Sequence, residues 1–141
     1  MRPIVLSAIA RRCYLADASE EAIQRAVAEF LRKATKAEEV VWWHVPNGGK
    51  RSKATAGRMK AMGVSRGVPD LHFMWSGKFG VIEMKDATGD MSPDQKEFAK
   101  STKAFGHYFA ECRTPEDVEN TLRSWGVPLH GTLINSKTTI R

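Results

Sequence analysis

Residues 69–85 read PDLHFMWSGKFGVIEMK, and this stretch decides the fold. Two runs rich in apolar residues, 71–75 and 79–84, are separated by the short polar sequence 76–78, which contains a glycine. Aromatic and β-branched runs on either side of a short glycine-containing connection are typical of a β-hairpin. The sequence therefore predicts two antiparallel strands at the centre of a sheet.

Charged residues stand at the open end of this hairpin. The start of its first strand lies beside the end of its second, so we expect Asp70 next to Glu83 and Lys85. Two close carboxylates repel unless they share a proton or a cation. Mg²⁺ is commonly held by one or two carboxylates together with a phosphate, and a nearby ammonium stabilises developing negative charge. The cluster predicts a magnesium site suited to phosphodiester hydrolysis.

Alternative interpretations remain open for these residues. The pattern of an acid, any residue and a lysine is weak evidence, because Asp94-Gln95-Lys96 matches it as well as Glu83-Met84-Lys85. The first of these falls at a predicted helix start, where an acid complements the helix dipole. Glu83 and Lys85 could form a plain surface salt bridge. His72 shares the face of Asp70 but is more simply explained as a structural residue, and His44, His107 and His130 show no metal-ligand spacing.

A first helix is predicted to begin near Ser19 and Glu20, where serine can cap the free amides. Its buried stripe recurs at helical spacing and comprises Ile23, Val27, Phe30 and Leu31. Glu20 shares the side of this stripe, whereas Glu21 is rotated by about 100° and is expected to face water.

The rest of the chain completes a mixed sheet flanked by helices, in the order αβ(α)ββαβα. Strands are predicted at 40–45 and 107–112, and helices at 54–62, 92–106 and 114–125. Ser92-Pro93-Asp94-Gln95 is a strong helix start, with Gln95 placed for a capping box. Gln95, Phe98, Thr102 and Phe105 are predicted to share one helix face. Residues 1–16 and the tail 127–141 are predicted to be peripheral to a domain at 17–126.

Composition favours a single basic domain. The 141 residues are 42% hydrophobic and carry a net charge of +6, which raises the local concentration of polyanions. Two distant cysteines predict neither a disulfide framework nor a zinc site, and the apolar runs are too short to cross a membrane, so we expect a cytoplasmic protein. The positive charges are concentrated in residues 50–66, a basic stretch without acidic residues. This stretch is either a solvated loop or a DNA-binding surface. The candidate DNA-binding residues are Asn47, Lys50, Arg51, Lys53, Arg58, Lys60 and Arg66.

These segments resemble a known nuclease family. Pro69-Asp70 followed by Glu83-Met84-Lys85 is similar to the PD-(D/E)xK nuclease motif. More specifically, the chain resembles the stand-alone VRR-NUC (virus-type replication-repair nuclease) domains over residues 17–126. The matching pieces are 19–24, 46–49, 63–71, 83–85 and 92–98.

The resemblance implies a restriction-endonuclease-like αβββαβ core and a set of site residues. Asp70, Glu83 and the main-chain carbonyl of Met84 are expected to bind Mg²⁺, with Mn²⁺ as a substitute. Lys85 is expected to assist catalysis. Glu20, acting directly or through water on the metal, and Gln95 complete the expected site, although each also fits a simple helix-start role.

The resemblance also implies a substrate and partners. It suggests a homodimer that cuts branched DNA such as Holliday junctions, of bacterial or phage origin, acting in DNA repair or recombination. Two alternatives remain: a catalytically inactive DNA-binding module, and a sequence-specific restriction or nicking endonuclease.

Overall fold

The computed structural model of the chain describes residues 1–46 and 52–134. Within these ranges every helix is too short or too polar to cross a lipid bilayer. The helices and strands follow the predicted order, with a short strand added near each end. They are β1 (Pro3–Ile4), a 3-10 helix (Ala10–Tyr14), α1 (Glu20–Ala34), β2 (Val41–His44), α2 (Lys53–Ala61), β3 (Leu71–Trp75), β4 (Lys78–Met84), α3 (Pro93–Ala104), β5 (Tyr108–Cys112), α4 (Pro115–Ser124) and β6 (Thr132–Leu133).

The central sheet has four strands in the order β2-β3-β4-β5. The predicted hairpin is confirmed, because β3 and β4 pair antiparallel with Trp75 opposite Lys78 across the turn. Ser76 and Gly77 both have positive φ, 41° and 74°, as the two central residues of a type I′ turn must. β2 pairs antiparallel with β3, and β5 pairs parallel with β4, which makes the sheet mixed as expected.

One face of the sheet carries the apolar core, and α1 and α4 pack on it. An aromatic cluster lies at the turn end of this face, where the rings of Trp75 and Trp125 stack 6.0 Å apart with 6° between their planes. Tyr108 lies 5.4 Å from Trp125 between ring centroids. A Cβ at Gly80 would lie 2.6 Å from a ring carbon of Trp125, so the cluster requires glycine at that position.

The prediction that residues 1–16 and 127–141 are peripheral is wrong for much of their described part. Ile4 and Leu6 are 2% and 1% exposed and belong to the core, as does Val127. β1 and β6 pair in parallel. Local sequence patterns cannot predict such pairing, because its two partners come from opposite ends of the chain.

A buried carboxylate fastens the C-terminal strand. Glu119 on α4 is 6% exposed. It accepts hydrogen bonds from the Leu133 amide at 2.7 Å, the Thr132 hydroxyl at 2.6 Å and the Arg123 guanidinium at 2.9 Å. Both carboxylate oxygens are thereby satisfied, and the chain up to β6 is part of the fold. The remaining residues of the predicted tail, 135–141, lie outside the described part of the chain.

The opposite face of the sheet is covered in part by α3, which packs against β5. Thr102 of α3 is buried against the sheet side of the helix. Phe105 was expected on the same face but is 78% exposed. The helix ends at Ala104, so Phe105 is its C-cap residue and turns away, and the prediction for Phe105 is wrong. The N-terminal end of α3 approaches the end of β4, where the candidate site lies.

Candidate active site

Strand pairing brings Asp70 to the end of β4. Leu71 lies opposite Ile82, and Asp70, one residue earlier, accepts a hydrogen bond from the Met84 amide through Oδ2 at 2.8 Å. The main-chain oxygen of Asp70 is held in turn by the Val45 amide, also at 2.8 Å. The neighbourhood predicted from the hairpin is therefore present, and both the side chain and the main chain of Asp70 are fixed.

Glu83 and Lys85 are buried together at this end of the sheet. Their residues are 2% and 8% exposed, and Lys85 Nζ lies 3.8 Å from Glu83 Oε1. Taking two charges out of water costs several kcal/mol per ion on an order-of-magnitude scale. The alternative of a plain surface salt bridge is therefore wrong. A buried pair of this kind is typical of a functional site.

Gln95 joins the start of α3 to Glu83. Its side-chain Oε1 accepts a hydrogen bond from the Ser92 amide at 2.8 Å, which completes a capping box. Its Nε2 donates to Glu83 Oε1, also at 2.8 Å. The sequence left a choice between a capping residue and a site residue, and the structure shows that the amide caps α3 and also contacts Glu83. The cap fixes the amide, and the amide fixes the carboxylate.

Gln95 binds only one of the two carboxyl oxygens of Glu83. Among the side chains that the structure describes, no hydrogen-bond donor reaches Glu83 Oε2, although that atom is buried. Burial and then the negative charge of Asp70 raise the pKa of Glu83 to about 8, with Lys85 opposing them. Burial also raises the pKa of Asp70. The side chains of Asp70 and Glu83 are within hydrogen-bond reach of each other, so a shared proton or a bound cation stabilises the pair.

Glu20 is an exposed residue in the first turn of α1, close enough to the cluster to respond to its charges. Desolvation is the main cause of its raised pKa; Lys85 opposes the rise, and the negative charges of Asp70 and Asp86 add to it. Its neighbour Glu21 is 76% exposed at the side chain and pairs with Arg25 at 3.1 Å. The prediction from helical periodicity that Glu21 faces water is confirmed.

The donor set fits a divalent cation bound with help from other ligands. In residues 1–46 and 52–134, no three side chains of His, Cys, Asp and Glu are grouped so as to hold a metal. Mg²⁺ does not require such a group, since it keeps several waters and binds through one or two carboxylates plus a phosphate. Asp70 and Glu83 supply those two carboxylates. The expected contributions of the Met84 carbonyl and of Glu20 stay predictions.

His44 is a neighbour of the site that the sequence did not single out. It lies at the exposed end of β2, and its Nδ1 is 2.9 Å from the main-chain oxygen of Asp70. Its charge opposes the larger effect of burial on the pKa of Asp70. Because His44 and Asp70 are distant in sequence, only the pairing of the strands that carry them could have indicated that they lie close together.

His72 has a structural role. Its Nε2 lies 3.1 Å from the main-chain oxygen of Pro69. Its ring lies 5.4 Å from the Trp43 ring and 5.8 Å from the Phe79 ring between centroids, and burial lowers its pKa. The aromatic contacts account for this histidine.

The described part of the basic stretch borders a cleft beside the start of α3. Lys60, Arg66 and Asp94 line this cleft of about 730 Å³, and Asp70, Glu83 and Lys85 are not among its lining residues. Gly67 presses against α3: with φ of 76°, a Cβ there would lie 2.5 Å from the main chain of Asp94. Among the remaining predicted DNA-binding residues, Lys53 and Arg58 are exposed on α2, and Asn47, Lys50 and Arg51 lie outside the described residues.

Comparison with known proteins supports the fold. A solved structure named "VRR_NUC domain protein" superposes with a TM-score of 0.63, over 82% of this chain and 93% of that chain, at 20% sequence identity. No family model and no curated protein matches the sequence. At this identity the likeness concerns the fold, and it confirms the VRR-NUC-like α/β fold expected from the sequence, with a mixed sheet flanked by helices.

Proposed function

We propose that this chain is a metal-dependent endonuclease that hydrolyses phosphodiester bonds in DNA. One observation carries the proposal: the buried carboxyl of Glu83 is held through one oxygen by Gln95, and its other oxygen has no donor beyond a proton shared with the carboxyl of Asp70. Lys85 is buried against the same carboxyl group. A structural ion pair does not require a second carboxyl group beside it, whereas a divalent cation is commonly held by two carboxylates.

Asp70 and Glu83 would hold Mg²⁺, with Mn²⁺ as a substitute. When bound, the ion supplies polarisation of the phosphoryl group and a lowered pKa for a coordinated water. The chain supplies the positioning. Asp70 is fixed by the Met84 amide and Glu83 by Gln95, so both carboxylates are preorganised before substrate arrives.

Lys85 would stabilise negative charge on the phosphate as the bond to the leaving oxygen breaks. Its ammonium is removed from water, which strengthens its interaction with an anion at close range. Glu20 faces Lys85 from α1, and its carboxylate would orient a water near the cation. These roles depend on a site that is shielded from bulk water, and the burial of Glu83 provides this shielding.

The basic stretch supports DNA as the polyanion. The described cations Lys53, Arg58, Lys60 and Arg66 lie on α2 and on the segment that follows it, which borders the cleft beside Asp94. Cations in this position attract phosphates toward the carboxylates. Branched DNA as the preferred substrate and a two-fold homodimer, with one site for each strand, follow from the family resemblance and belong to the proposal.

The test is cleavage of labelled four-way junction, flap and linear duplex DNA, with Mg²⁺, Mn²⁺ or a chelator. Wild type is compared with Glu83→Gln and with the matched control Glu111→Gln, which changes the acid opposite Glu83 on β5. We expect metal-dependent cutting, reduced at least about a hundredfold by Glu83→Gln and retained in the control. Calorimetric titration with Mn²⁺ gives a second readout, and Glu83→Gln should weaken binding.

Other outcomes separate the alternatives. Tight DNA binding without cleavage in any metal rejects the endonuclease and supports a DNA-binding module. Discrete fragments from linear duplex DNA, with little cutting of junctions, support a restriction or nicking enzyme. Equal loss in Glu83→Gln and Glu111→Gln would remove the special role of the buried carboxylate.

A further inference from the structure

Helix α2 contributes nothing to the core. None of the residues of Lys53–Ala61, all of which the structure describes, is buried. Met62, which caps this helix, is 76% exposed, and Val64 is 44% exposed. Burial in the core therefore does not explain why this segment carries methionines, which leaves them available for contact with another molecule.

Apolar and positively charged side chains stand together on this helix. Met59 and Met62 are three residues apart, which places them on the same side, and both line an apolar groove with Arg58. Lys60 lies between them in sequence and is exposed. A surface that combines apolar side chains with cations matches a ligand that offers flat apolar faces beside negative charges. Nucleic acid bases and phosphates have this combination.

Charge argues against a second copy of this chain as the occupant. The sequence contains no acidic residue between Glu39 and Asp70. A two-fold contact through α2 would bring Arg58 and Lys60 against their own copies, and like charges at close range are destabilising. A polyanion meets the same surface with favourable charge.

The cleft described above runs from this surface to the start of α3. Met59, Lys60 and Asp94 line it. Asp94 precedes Gln95, whose amide contacts Glu83. DNA bound at Glu83 would reach α2 by passing the start of α3.

We propose that Met59 and Met62 contact unstacked bases of DNA at a branch point. The proposal rests on the endonuclease function proposed above and names the element that reads the open structure. Base faces in continuous duplex are covered by their neighbours, so an apolar side chain gains contact only where the stack is interrupted. Apolar side chains, methionine included, insert between base steps in this way, and methionine adapts its shape to irregular gaps.

The test uses the double variant Met59→Gln/Met62→Gln. Glutamine keeps the length and the helix propensity of methionine but removes its apolar character. The control is Phe105→Gln, which changes another highly exposed apolar side chain at the far end of α3. The probes are a four-way junction with 2-aminopurine beside the branch point and a linear duplex of matching sequence, both in chelator so that they stay intact.

Wild type should increase the 2-aminopurine fluorescence of the junction, because the base leaves its stack. The double variant should lose this increase and bind the junction about tenfold more weakly, in line with the loss of one base contact. Its affinity for linear duplex should stay unchanged, and the Phe105→Gln control should match wild type on both DNAs. Unchanged thermal melting shows that the variant is folded.

Three results would overturn the proposal. They are equal weakening on junction and duplex, an unchanged fluorescence response, and loss of a dimer or of binding to anionic phospholipid vesicles in place of any DNA effect. Cleavage measured in parallel separates the two proposals. If wild type cuts no DNA, the endonuclease function fails. If it cuts and the double variant keeps the same junction preference, the base contact alone fails.

Discussion

The two ends of the central sheet are both buried, but they are built from opposite chemistry. At the turn end, Trp75 and Trp125 stack in an apolar aromatic cluster. At the open end, the carboxyl of Glu83 and the ammonium of Lys85 are buried 3.8 Å apart. Aromatic burial is strongly stabilising, whereas a buried ion pair is neutral or unfavourable compared with apolar packing. One end of the sheet therefore stabilises the fold, and the other holds buried polar groups that do not add to its stability.

The largest expected effect is at the aromatic end. Trp125→Ala removes a ring that touches Trp75, Tyr108 and Phe73, so it should lower the free energy of unfolding by about 3–5 kcal/mol. Urea denaturation measures this change. The control Phe105→Ala removes an exposed ring and should change the free energy little. A loss below that of the control would show that the aromatic end is not the stabilising one.

The next expected effect is at the polar end, where stability should depend on pH. The pKa of Glu83 rises from an ordinary value near 4.5 to about 8, so between these values the folded chain holds a proton that the unfolded chain releases. Stability in chelator is therefore highest at low pH and falls as pH rises from about 5 to about 8. Thermal melting across this range measures the fall.

The same experiment includes two comparisons that sharpen the contrast between the ends. Glu83→Gln should flatten the pH dependence, because an amide does not titrate. Added Mg²⁺ should raise the melting temperature of wild type most at high pH, where the carboxylate is ionised. A melting temperature of wild type that rises with pH in chelator would contradict the assignment.

The smallest expected effect separates two neighbouring acids on α1. Glu20→Gln should reduce cleavage about tenfold, because its carboxylate faces the cluster of Asp70 and Lys85. Glu21→Gln should leave cleavage unchanged, since Glu21 pairs with Arg25 in solvent. Initial rates at saturating DNA measure both. If the two variants lose activity equally, helix-end charge explains the result and Glu20 has no special position.

Features that depend on local pattern were predictable from the sequence. The hairpin followed from two apolar runs around Ser76-Gly77, and its geometry placed Asp70 beside Glu83. The capping sequence at Ser92 correctly gave the start of α3. In each case neighbours along the chain supply the interaction, so residue types and spacing contain the information.

Features that depend on distant contacts were not predictable in this way. Ile4 and Leu6 are core residues because β1 pairs with a strand from the other end of the chain. His44 approaches Asp70 only through the pairing of β2 with β3. For Gln95 the sequence offered two roles as alternatives, and only the position of Glu83 in space shows that the amide that caps α3 also donates to Glu83.

The buried carboxylate of Glu119 couples the stability of the two chain ends. It anchors Thr132 and Leu133 on α4, and Leu133 in turn lies beside Ile4 in the parallel pair. Fraying at one end therefore removes the pairing partner of the other and leaves Arg123 as the remaining hydrogen-bond donor to the buried carboxylate of Glu119. The N-terminal and C-terminal strands should open as one cooperative unit. A protease that can reach one strand should therefore also reach the other.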